Sequence, residues 1–72
     1  MPKSVIDRFN ETELKIIKLI CRQHSNQEMA DKLGYSIRTV EDYRLSITKK
    51  TKTRNTAGIV LFAVKHGIFP IK

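Results

Sequence analysis

Apolar residues recur at helical spacing in four separate stretches of this chain. In the first, Leu14, Ile17 and Cys21 form one row and Ile16 and Ile20 another, while Lys15, Lys18 and Arg22 point outward. Asn10 stands at the N-cap, Glu13 completes a capping box, and Phe9 and Leu14 occupy the two staple positions. A helix is therefore predicted from just after Asn10 to near Gln23. Ser25 and Glu28 form a second box, and Met29, Ala30 and Leu33 supply the inner face of a two-turn helix over Asn26 to Leu33, stopped by Gly34. Ser36 caps a third helix with the inward stripe Val40, Tyr43, Ile47 and Thr51. The polar run Thr51 to Arg54 breaks the pattern. Asn55 or Thr56 then caps a fourth helix through Ile59, Val60, Leu61, Phe62, Ala63 and Val64, closed by His66-Gly67 and barred from resuming by Pro70. No stretch reads convincingly as a strand. The expected fold class is all-α, a four-helix bundle-like domain over residues 9–72, with residues 1–8 a linker or tail.

The second and third helices carry the most information. A short helix, a tight turn containing Gly34 and a second capped helix make a helix-turn-helix, whose second helix enters the major groove of DNA.

Charge changes the picture through its placement. The chain has 72 residues, 14 Lys+Arg against 7 Asp+Glu, a net charge of +7 and a pI near 9.9. All seven acids lie at or before Asp42, where seven bases balance them. The excess comes from Arg44, Lys49, Lys50, Lys52, Arg54, Lys65 and Lys72. A localised basic run suits a polyanion such as nucleic acid; a solubilising basic end is the alternative. The single cysteine, Cys21, has no internal disulfide partner; it is expected in the core, in a reducing cytoplasm. No apolar run approaches the roughly 20 residues that span a bilayer, and Met1-Pro2-Lys3-Ser4 lacks the apolar core of a signal peptide, so no membrane partner is expected. His24 and His66 lack ligand spacing and are read as helix-end residues. With no metal, no cofactor, no phosphate-cradling glycine loop and no nucleophile–base set in view, an enzyme is not expected.

The ordered residues resemble a known family. Ser25-Asn26-x-Glu28-Met29-Ala30-x-x-Leu33, Ser36-x-x-Thr39-Val40-Glu41-x-Tyr43-Arg44, Ile47-x-x-Lys50, Arg54-Asn55 and Ala63-x-x-His66-Gly67-Ile68 look like a LuxR-type helix-turn-helix domain, from Phe9 to about Phe69. The resemblance implies a bacterial transcription regulator that binds double-stranded DNA, with the third helix as recognition helix and the fourth as dimer contact. It implies an output domain of the kind that follows a receiver or sensor domain. Two departures stand out. Thr51 and Thr53 fall where the link to the fourth helix commonly carries apolar residues, and Glu41 and Asp42 follow Thr39-Val40 where a basic residue is common.

With Val40 inward, a 100° step per residue turns Arg38, Asp42, Leu45 and Lys49 outward, with Glu41 and Lys52 on the flanks. Arg38 suits guanine or a phosphate, Leu45 a thymine methyl, and Glu41 or Asp42 the cytosine N4 amine. The acids have a second reading: Asp42 pairs with Arg38, and Glu41 with Arg44, along the helix. Backbone candidates are Arg44, Lys49, Lys50, Lys52 and Arg54, together with Ser25, Asn26, Ser36 and Thr39 at the helix starts, whose other role is capping. Tyr43 is expected as a core ring with an exposed hydroxyl. The fourth helix is apolar almost all round; Ile59, Phe62, Ala63 and His66 form one row, and the row Val60 and Val64 is chosen as the homodimer contact. The alternative function is a helical protein-interaction module working through that surface.

Overall fold

The computed structural model describes residues 8–69. Predicted residues 1–7 of the tail, and Pro70, lie outside them. Four helices follow one another: α1 (Glu11–Cys21), α2 (Asn26–Leu33), α3 (Ile37–Thr51) and α4 (Thr56–Lys65). Each begins at the cap its sequence offers. Asn10 Oδ1 accepts from Glu13 N at 2.8 Å and Glu13 Oε1 accepts from Asn10 N at 3.0 Å. Ser25 and Glu28 make the same reciprocal pair at 3.1 and 2.9 Å. Ser36 caps α3, and Asn55, rather than Thr56, caps α4. These bonds satisfy amides that the first turn leaves without helical partners.

α1 ends two residues sooner than the periodicity suggests. Gln23 has φ 66°, which no helix continues. Gly34 ends α2 in the left-handed conformation at φ 73°, where a side chain would be strained. That sharp turn sets α2 against α3.

Ile16, Ile17 and Ile20 of α1, Met29 and Ala30 of α2, Val40 and Ile47 of α3, and Ile59 and Ala63 of α4 meet in one core, joined by Phe9 and Ile68. Phe9 packs edge-on to Phe62 at 6.0 Å between centroids, closing the entrance of α1 onto α4.

The α3–α4 corner is packed by hydroxyls. Thr51 is buried; its Oγ1 donates to Ile47 O at 2.8 Å and lies 2.8 Å from Thr53 Oγ1. α4 rests directly on Thr53, because a Cβ at Gly58 would come within 2.9 Å of Thr53 Cβ.

One core expectation is corrected. Cys21 is half-buried at the rim of a groove, because the early end of α1 leaves its side chain at the helix end. Burial still pushes its thiol pKa up. Tyr43 packs its half-buried ring against the core, as expected, and stacks it on Tyr35 at 6.0 Å and 27°.

Candidate nucleic-acid interface

α3 presents a solvent-facing row because Val40 and Ile47 hold its other side in the core. Arg38, Glu41, Asp42, Leu45 and Lys49 are all exposed. The Arg38 and Asp42 side chains are 84% and 69% exposed and lie 3.9 Å apart, Nε to Oδ1. A pair so open to water is weak, and the guanidinium is easily turned to a stronger anion. Leu45, 56% exposed, is an apolar side chain with no core to fill. Ile37, 41% exposed at the first helical position, extends the apolar part of the surface; its exposure was not foreseen, since it lies beside the cap and outside the inward stripe.

The helix starts are built for anions but already use their hydroxyls. Ser25 Oγ is occupied by Glu28 N, and the bond from Ser25 N holds the Glu28 carboxyl below its ordinary pKa. Ser36 Oγ accepts from Thr39 N at 3.2 Å and lies 3.0 Å from Thr39 Oγ1. Asn26 and Thr39 are half-buried. The first turn of α3 holds no acid, so its positive dipole end stays uncompensated there.

The basic run divides. Lys49, Lys52 and Arg54 are exposed. Lys52, at φ 58°, caps α3 in the left-handed region and carries its charge around the corner. Arg44 is half-buried, and its Nη2 donates to Thr56 Oγ1 at 2.7 Å, tying α3 to the start of α4 instead of to Glu41. Lys50 departs furthest from its expected place. Its ammonium turns back to Glu13 Oε1 at 2.7 Å and Arg8 O at 3.0 Å, and lies 5.7 Å from the Phe9 ring centre. A buried carboxylate holds it, so its charge already has a partner within the fold, unlike those of Lys49, Lys52 and Arg54.

That carboxylate was visible only as a capping residue. Glu13 is 2% exposed and also accepts from Ser46 Oγ at 3.0 Å. Burial raises its pKa, but the bonds from Lys50, Asn10 and Ser46 outweigh this and hold it below the ordinary carboxylate range. Nothing local in the sequence marks a partner 37 residues away.

The model of bacterial regulatory proteins of the luxR family matches residues 7–63. The chain belongs to that family. It is 37% identical over 62 residues to the transcriptional regulatory protein MctR of Rhizobium johnstonii, covering 86% of this chain and 29% of that protein. It is 35% identical over 65 residues to the response regulator GacA of Pseudomonas aeruginosa, covering 90% and 30%. With the oxygen regulatory protein NreC of Staphylococcus carnosus the identity is 34% over 57 residues, covering 79% and 26%. The chain thus spans less than a third of the length of these curated relatives. Its α2, Gly34 turn and α3 have the helix-turn-helix arrangement, a motif whose second helix is the one that enters the major groove.

α4 carries the other notable surface of this family member. Ile59 and Ala63 are buried, Phe62 packs on Phe9 and on His66 at 4.4 Å, and Val60 and Val64 are half-buried. Leu61 is 71% exposed, the most open large apolar residue among those described. The sequence does not single it out, because the helix is apolar nearly all round and its period is weak. No helix among the described residues is long and apolar enough to cross a membrane.

Proposed function

We propose that this chain is the output domain of a bacterial response regulator. It reads a specific duplex through Arg38, Glu41, Asp42 and Leu45, and holds the backbone through Lys49, Lys52, Arg54 and the starts of α2 and α3. The observation that carries the reading is the exposed α3 row, a guanidinium, two carboxylates and a leucine, on a helix whose opposite side is locked in the core. Such a mixed row matches base edges better than phosphates alone, which would favour cations throughout. The names of GacA, a response regulator, and MctR, a transcriptional regulatory protein, support the assignment. In this reading a receiver or sensor domain precedes the chain, the whole protein works in the bacterial cytoplasm, and the domain performs no catalysis.

Two copies pair on DNA through Val60, Leu61 and Val64 of α4, placing two recognition helices on half-sites about one helical turn apart. The deciding experiment is selection of bound fragments from random duplex DNA. Enrichment of a motif with two-fold symmetry is expected. Salt-sensitive binding without enrichment would overturn sequence reading by this domain.

A further inference from the structure

A second surface lies apart from both α3 and α4. Lys15, Lys18 and Arg22 of α1 and Lys32 of α2 surround Leu19 and Leu33, which are half-buried and form the floor of a shallow groove of about 270 Å³. None of the DNA-facing residues lines it. Among the described residues the ion pairs are His24–Glu28, Arg38–Asp42 and Lys50–Glu13, so none of these four cations is in one. Asp31, next to Lys32 in sequence, accepts from Gln27 Nε2 at 2.9 Å, and Glu28, one turn before Lys32, has its carboxylate held by Ser25.

Leu19 and Leu33 pack one side against the core, and their open sides carry a rim of four cations of one sign around an apolar floor. We propose that this groove docks an acidic segment of a partner protein, apolar side chains from two adjacent turns resting on Leu19 and Leu33 while flanking carboxylates meet Lys15, Lys18, Arg22 and Lys32. Charge complementarity selects an anionic partner, and the apolar floor selects protein over DNA, since phosphates gain nothing from two leucines. The groove lies on α1 and the C-terminal end of α2, away from the α3 row and from the start of α2.

The test uses the whole chain and a fluorescent helical 14-residue peptide with Glu on one face and Leu at two adjacent turns. Its control has both Leu replaced by Ser. The expected result is saturable binding of the Leu peptide, shifting the Leu19 and Leu33 methyl resonances. The Ser peptide binds more weakly, and Lys18→Glu with Lys32→Glu lowers affinity about tenfold or more, a change of about 1.4 kcal/mol. Both substitutions are at exposed positions, and unchanged thermal unfolding checks that the fold survives. Equal binding of Leu and Ser peptides, no binding at all, or movement of the same methyls by a short random duplex instead would each overturn the proposal.

Discussion

Lys50 Nζ lies 2.7 Å from Glu13 Oε1 and so fastens the last turn of α3 to the first turn of α1. The carboxylate is 2% exposed and the lysine side chain 37%, so one partner is dry and the other reaches water. Glu13 caps its own helix, receives Ser46 from α3 and receives Lys50 at once. This one carboxylate therefore joins α1 to two side chains of α3.

Replacing Lys50 with Met should therefore destabilise the domain by about 1–3 kcal/mol, because it strips a strong donor from a buried anion. The sign with pH follows from the lowered pKa of Glu13. Its contribution is complete above the ordinary carboxylate value of about 4.3, and is lost as pH falls through the lower folded value. Denaturant unfolding at neutral and acid pH checks this: wild type and variant differ at neutral pH and converge as the carboxylate is protonated. A gap that persists unchanged in acid would remove Glu13 from the account.

Lys52→Gly should act in opposite directions on stability and binding. Lys52 sits at φ 58°, where a Cβ is strained and glycine is not. Against the extra freedom glycine gives the unfolded chain, a net gain of about 0.5–1 kcal/mol is expected. For a domain this small that raises the thermal midpoint by about 2–8 °C. Losing the exposed ammonium weakens DNA at the same time. A lower midpoint would contradict the strain argument.

The helices were legible because each is announced by its own cap and stopped by its own turn. Asn10, Ser25, Ser36 and Asn55 all act over three residues, and Gly34 acts at one. The outward row of α3 was legible for a similar reason, since one buried Val40 orients a regular helix. The pairing of Lys50 was not legible because its partner, Glu13, is distant in sequence and already had a local role. Arg44 was likewise drawn away by Thr56, in the next helix. Leu61 was missed because periodicity is least informative where nearly every residue is apolar. The corner at Thr51 and Thr53 could be flagged as unusual, but only the fold shows its hydroxyls bonding back to α3 and to each other.

Leu61→Arg should abolish pairing on DNA while leaving the monomer folded. The side chain is 71% exposed, so the charge is solvated in the monomer and confronts its own copy in a two-fold contact. Native mass spectrometry of the domain on a two-half-site duplex is expected to give two copies for wild type and one for the variant. Val60→Ala and Val64→Ala should weaken pairing less. Two copies of Leu61→Arg at wild-type affinity would place the dimer contact elsewhere.

Readers and clamps should separate in a salt titration on the selected duplex. Lys49→Ala removes an exposed cation beyond the acidic part of the row, so it should weaken selected and random duplexes alike. The logarithmic salt slope should fall by about 0.9 if one phosphate contact is lost. Leu45→Ala or Arg38→Ala should instead change which bases are preferred, at about 1–3 kcal/mol for a good contact. Asp42→Asn tests the remaining relationship. If Asp42 only orients Arg38 across their 3.9 Å separation, its loss changes preference at the base Arg38 reads. If it accepts from a cytosine amine, preference changes at a neighbouring base. Repeating the selection with each variant distinguishes the two, and an unaltered motif from all three variants would take base reading away from this face.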